Sequence, residues 1–403
     1  MIFRAGRSSA DVALLDFWRS HWRSQQSWVL DQQLRLARVA APTGQEQARA
    51  SLLASMLCEA GASPASILRD AVGNVSLRVS PLNRGAQSAP SLVCMAHLDT
   101  VFDANIALDP IVDGPIVRCP GIGDNGRGLA ALLVLAHTLH RPDVAARLTR
   151  PVHLVATVGE EGEGNLRGAR AWFDARSVHG DEPGMAIAID GPGDSSIVHH
   201  GVGSTRLRVM LRGPGGHSWI QAGAPNPIHA LGAFITRACA QSEPVSRALV
   251  VTVTRMHGGE TLTSVPQEAW VDLDVRSTDA HRLERTRHAL VQLAHVAASE
   301  AGAGGCPLDV HIVSLGERPA GMLDAEHSLV RAAVQATEAV GCTPQSAMAS
   351  TDANVPLARG IPAIAIGAGG RGGGAHTVDE WYDDTTGAVG MERVVRLVLE
   401  LVA

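Results

Sequence analysis

Apolar residues at Leu14, Leu15, Trp18, Trp22 and Leu30 recur with helical spacing and predict a helix over 11–40. Pro42-Thr43-Gly44 ends it, and 45–60 reads as a second helix closed by Gly61. Alternation over 74–80 predicts a strand, and 82–90 has the composition of a loop. Short apolar runs at 91–96, 152–158 and 185–189 predict buried strands, with helices at 128–140 and 168–175 between them. Strands alternating with helices imply an α/β fold: a mostly parallel sheet with helices on both faces.

From 203 to 315 the pattern changes. It predicts strand 205–211, helix 227–241, strands 249–256 and 270–276, helix 280–301 and strand 308–313. This is β-α-β-β-α-β, a split ferredoxin-like unit of small-domain size. The α/β pattern resumes with helix 328–340, strand 363–366 and helix 387–402. The expected organisation is a catalytic α/β domain built from 1–202 and 316–403, interrupted by an inserted lid domain at 203–315.

Composition narrows the chemistry. With 403 residues, 45% hydrophobic and 18% charged, the chain can bury a sizeable core. A net charge of −6 gives no basis for general nucleic-acid binding. No apolar run approaches the ~18 residues of a membrane span, and no secretory signal pattern is seen. Six scattered cysteines without a C-x-x-C read as reduced thiols, so a cytoplasmic protein is expected. Aromatics make up only 3%, against 17 histidines, which hints at metal or proton chemistry.

Candidate chemistry gathers where the predicted strands end, the usual ligand edge of an open α/β sheet. His97-Leu98-Asp99-Thr100 follows the run at 91–96; taken alone, it could be a buried histidine satisfied by a neighbouring aspartate. Gly121-Ile122-Gly123-Asp124-Asn125-Gly126 opens a helix. It contains G-x-G-x-x-G, but a convincing first strand and a ribose-binding acid about 20 residues on are both missing. Gly159-Glu160-Glu161-Gly162-Glu163-Gly164 follows the strand at 152–158 and could be an acidic surface loop. Asp190 follows the run at 185–189, and His376 follows a glycine-rich stretch over 367–374 that could be a flexible loop.

Together, His97, Asp124, Glu161, Asp190 and His376 offer nitrogen and oxygen donors suited to zinc, cobalt or manganese. Five ligands exceed what one catalytic zinc takes and fit two divalent ions sharing a carboxylate. Glu160 then remains as a general base for a metal-activated water.

At these residues the chain resembles the di-zinc metallopeptidase family of peptidase T, glutamate carboxypeptidase, aminoacylase and succinyl-diaminopimelate desuccinylase. The resemblance extends to Gly213-Pro214-Gly215-Gly216-His217-Ser218, Asp272-Leu273-Asp274-Val275-Arg276 and Ala375-His376-Thr377-Val378-Asp379-Glu380. Asp190 followed by glycine is similar to the peptidase T branch. The resemblance implies one metal on His97, Asp124 and Asp190 and another on Asp124, Glu161 and His376. It implies that Asp99 orients His97 and that Glu160 is the base. It also implies that His217 polarises the scissile carbonyl, often across a dimer, and that Arg276 binds a substrate carboxylate. A homodimer through the lid is a possible consequence. Thr263 stands where the family often has a substrate-holding Asn, and Asn125-Gly126-Arg127 replaces the common Asp-Lys or Met-Lys. The expected substrates are peptides or N-acyl amino acids, with aminopeptidase, carboxypeptidase and deacylase activities all open. The alternatives are a nicotinamide-dependent oxidoreductase using 121–126 and a catalytically inactive family member; a serine hydrolase is disfavoured because no G-x-S-x-G occurs.

Overall fold

A computed structural model describes residues 13, 16–18, 20–179, 183–301 and 307–403. The chain divides into two compact units, one running to His200 and resuming at Met322, the other spanning Gly201–Gly321.

The first unit is built on a nine-stranded sheet. Its centre is four parallel strands in the order Val152–Thr157, Leu92–His97, Met185–Ile189, Ala363–Ile366. These strands are buried almost throughout, which explains their unbroken apolar runs. Antiparallel strands flank them, Val75–Val79 on one side and Ser196–Gly201 on the other. From Leu92–His97 the chain passes first to the neighbour on one side and then to Met185–Ile189 on the other. Such a switch in direction opens a crevice at the carboxyl ends of the two strands. His97 and Asp190 stand at those ends.

Helix Gly126–Leu139 packs on the sheet and against helix Gln26–Ala37. Covered on all sides, it can be apolar all round. Burying Leu129, Leu132, Leu133 and Leu135 contributes about 1.5–3 kcal/mol each. The predicted helix over 11–40 is interrupted by a turn over 22–25. There Trp22 is buried, and its indole donates to the Thr138 hydroxyl at 2.9 Å. Leu14 and Leu15 lie outside the described residues.

A small antiparallel sheet joins Ile111–Asp113, Ile116–Arg118, Trp381–Asp383 and Arg371–Gly373. Residues 121–126 therefore follow an edge hairpin rather than a buried parallel strand, and the context of a dinucleotide fingerprint is absent. The glycine-rich stretch over 367–374 is packed: a Cβ on Gly370 would lie 2.4 Å from the Tyr382 ring.

In the second unit, strands Val250–Gly258, Glu268–Ser277, Gly203–Arg212 and Asp309–Arg318 form an antiparallel sheet in that order. Helices Pro227–Cys239 and Ala280–Glu300 complete a β-α-β-β-α-β succession. Strand Asp309–Arg318 outruns its apolar pattern because it pairs along Gly203–Arg212, with a register shift between Ser314 and Gly316. Among the described residues no helix is long and apolar enough to cross a membrane.

Candidate metal centre

The parallel register brings the donors together. His97 ends its strand level with Thr157, so the turn carrying Glu160 and Glu161 emerges beside it. Asp190 follows Ile189, and its N–H is held by the Ile366 carbonyl at 2.9 Å. Asp124 arrives at the start of helix Gly126–Leu139. Asn125 caps that helix by accepting the Gly128 N–H at 3.0 Å. The same Asn125 side chain accepts the Gly191 N–H and donates to the Ile189 carbonyl, both at 3.0 Å, and so brackets Asp190.

Asp124 lies between the two histidines. Its Oδ1 is 2.9 Å from His97 Nε2, and its Oδ2 is 3.2 Å from His376 Nε2. His97 Nε2 is also 3.7 Å from Asp190 Oδ1, and His376 Nε2 is 2.9 Å from Glu161 Oε1. Donor atoms of His97, Asp124 and Asp190 lie within 4.8 Å of one another, as do those of Asp124, Glu161 and His376. His97, Glu160 and Glu161 form a third such group. His376 reaches the cluster with φ +65°, a left-handed conformation unusual outside glycine.

The other face of His97 is fixed by Asp99. His97 Nδ1 lies 3.0 Å from the Asp99 carbonyl oxygen and 3.6 Å from its Oδ1. The Asp99 carboxylate also accepts the N–H groups of Glu160 and Glu161 at 2.9 and 3.0 Å and the Thr43 hydroxyl at 2.8 Å. Burial opposes its ionisation, but His97 and the two N–H groups outweigh that and hold its pKa down to about 2.

The ionisable groups of the cluster shift one another strongly. Burial disfavours a charged His97, yet hydrogen bonds to Asp124, Asp190 and Asp99 raise its pKa well above the ordinary value. Hydrogen bonds to Asp124 and Glu161 push His376 up to about 10 against the effect of burial. Asp124 is held far down despite burial by His376 and His97, whereas burial raises Asp190. Clustered imidazole nitrogens and carboxylate oxygens, with no cysteine among them, fit two divalent ions.

The sequence reading assigns no role to three residues that support the cluster. Buried Glu46 accepts the Gly159 N–H at 3.0 Å, just before the acidic pair. Buried Glu380 accepts N–H groups around Asp124. Buried Asp352 accepts the Thr157 hydroxyl at 2.5 Å through Oδ2, while its Oδ1 has no hydrogen-bond partner among the described residues. Burial pushes the Asp352 pKa up to about 6. Only Glu380 had a signal, its place in the segment that follows His376.

His217, Thr263 and Arg276 belong to the second unit. His217 pairs with Ser264 in a two-residue ladder, and the Thr263 carbonyl accepts the Ser218 N–H at 2.9 Å, so these segments adjoin. The His217 side chain is exposed, with Nδ1 accepting the Trp219 N–H at 3.2 Å. Arg276 lies on Glu268–Ser277 and donates to Asp274 at 2.8 Å.

Solved structures share the fold. Aminopeptidase PepT from Bacillus cereus aligns over 93% of this chain and 98% of its own, with a TM-score of 0.75 and 20% identity. A tripeptidase from Staphylococcus aureus aligns over 93% and 97%, with a TM-score of 0.76 and 20% identity. A dinuclear metal-binding peptidase of the M20 family from Bacillus subtilis aligns over 93% and 98%, with a TM-score of 0.68 and 16% identity. A search of curated proteins by sequence returned no match. Residues 93–400, most of the chain and every residue of the cluster, match the model of peptidase family M20/M25/M40. The chain belongs to this family and is a metallopeptidase or amidohydrolase.

Proposed function

We propose that the chain hydrolyses peptide or N-acyl amino-acid amide bonds with two divalent ions, zinc first, with cobalt or manganese as substitutes. One observation carries this reading: Asp124 turns one oxygen to His97 and the other to His376, as a carboxylate shared by two ions would. His97, Asp124 and Asp190 would hold one ion, and Asp124, Glu161 and His376 the other. When bound, such ions polarise a carbonyl and acidify an attacking water.

The chain's own groups do the rest. Glu160 takes the water's proton on its carboxylate and passes it to the leaving amine nitrogen. Asp99 holds the Glu160 and Glu161 backbone and orients the His97 ring. His217 supports the developing oxyanion, Arg276 binds a substrate carboxylate through its guanidinium fork, and Thr263 contacts substrate beside His217. The second unit acts as a lid that closes on substrate, and a homodimer through it would carry His217 to a partner's centre. The described cysteines are all free, which supports a reducing, cytoplasmic setting.

The test is a panel of di- and tripeptides and N-acyl amino acids. Hydrolysis of one class, abolished by a chelator and restored by zinc, cobalt or manganese, is expected. Undiminished hydrolysis by stripped protein would contradict the reading, as would no hydrolysis across the panel by metal-loaded protein.

A further inference from the structure

Glu380 is 2% exposed, and its carboxylate is devoted to the backbone of a distant segment. Oε1 accepts the N–H groups of Gly123 and Asp124 at 2.9 and 3.0 Å, and Oε2 accepts that of Gly121 at 2.5 Å. A Cβ on Gly123 would lie 3.1 Å from Oε1, so glycine there permits the approach.

Glu380 is itself anchored at both backbone groups. Its N–H donates to the Thr377 carbonyl at 3.2 Å, and its carbonyl accepts the Cys119 N–H at 3.0 Å. The next residue, Trp381, pairs with Arg118. One side chain thus joins the segment that presents Asp124 to the segment that presents His376. The ring of His376 and the carboxylate of Asp124 meet at 3.2 Å across that join.

A buried carboxylate beside Asp124 adds negative charge where there is already much, and a neutral apolar side chain would avoid it. Three N–H donors converging on two oxygens supply the reason for a carboxylate. A glutamine has one acceptor oxygen, and its NH2 group would face at least one N–H with nothing to accept it.

We propose that Glu380 is a positioning residue of the metal centre: by fixing Asp124 relative to His376 it sets the affinity for both ions. This rests on the two-ion reading above. The test is a cobalt(II) titration of the metal-stripped full chain, followed by visible absorption, for wild type, Glu380→Gln and Glu380→Ala. Melting temperatures of the stripped proteins are measured alongside.

Wild type is expected to take two cobalt ions. Glu380→Gln should bind both roughly tenfold or more weakly, the range for loss of a residue that orients ligands. Its kcat should fall more than its KM rises. Glu380→Ala should be weaker still, and Glu380→Gln carries the test where the alanine variant does not fold. A lowered melting temperature with unchanged cobalt affinity marks a merely structural residue and overturns the proposal. Wild type binding no cobalt overturns the two-ion reading and this inference together. Variants binding as tightly as a competent wild type overturn the inference alone.

Discussion

Asp99 Oδ1 accepts the backbone N–H of Glu160 at 2.9 Å, tying the proposed base to the residue proposed to orient His97. In Asp99→Asn, an amide NH2 must face one of the N–H groups of Glu160 and Glu161. A buried donor left unpaired costs about 1–3 kcal/mol. Turnover should fall while the variant still folds, and steady-state kinetics with metal analysis checks this. Wild-type kcat in Asp99→Asn would remove the positioning role.

Gly128→Ala sets helix propensity against packing. Alanine favours a helix interior by about 1 kcal/mol over glycine. Here its Cβ would lie 2.2 Å from Asn125 Oδ1 and 2.3 Å from the Ile189 carbonyl oxygen. Neither atom can retreat without breaking the bracket around Asp190, so the clash wins. The variant should melt well below wild type; an equal or higher melting temperature would refute the packing argument.

Metal removal should destabilise the fold. Asp124, Glu161 and Asp190 crowd two imidazoles, and divalent ions held there would offset the carboxylates' charge. Ligand held at 100 times its Kd stabilises a protein by about 2.7 kcal/mol. Melting temperature should therefore rise with added zinc and fall with chelator. No shift in either direction would mean that the cluster binds no ion in the folded state.

His153 makes an acid limb unrelated to metal. Burial, then the charges of Arg176 and Arg78, push its pKa down to about 3, and its ring packs edge-on against Trp172 at 5.4 Å. The unfolded chain takes up that proton near pH 6.5. Stability from this residue is thus present above about pH 6.5 and lost as pH falls toward about 3, on the order of a few kcal/mol. His153→Phe keeps the ring contact and removes the titration. Urea unfolding in chelator at pH 7 and pH 4 should show a smaller acid loss for the variant; equal losses would contradict this.

Much of the first unit could be read along the chain, since strands such as Met185–Ile189 and Ala363–Ile366 are short, buried and unbroken in apolar character. His97 and Asp190, the proposed donors, stand out in the sequence for the same reason: they interrupt apolar runs where those runs end. What escaped depends on distant contacts. Trp381–Asp383 and Ile116–Arg118 are three-residue strands, too short for periodicity, and they pair with each other from far apart in the chain. Glu46 and Glu380 look like surface acids until the fold wraps N–H groups around them. The stretch over 367–374 has the composition of a loose loop, yet Tyr382 fills the space beside Gly370.

The most direct test of the two-ion account is native mass spectrometry and turnover of Glu160→Gln beside wild type, both reconstituted with zinc. The account predicts two ions per chain in each protein, with turnover lower by at least about a hundredfold in the variant alone. A single ion per wild-type chain, or wild-type turnover in the variant, would contradict it.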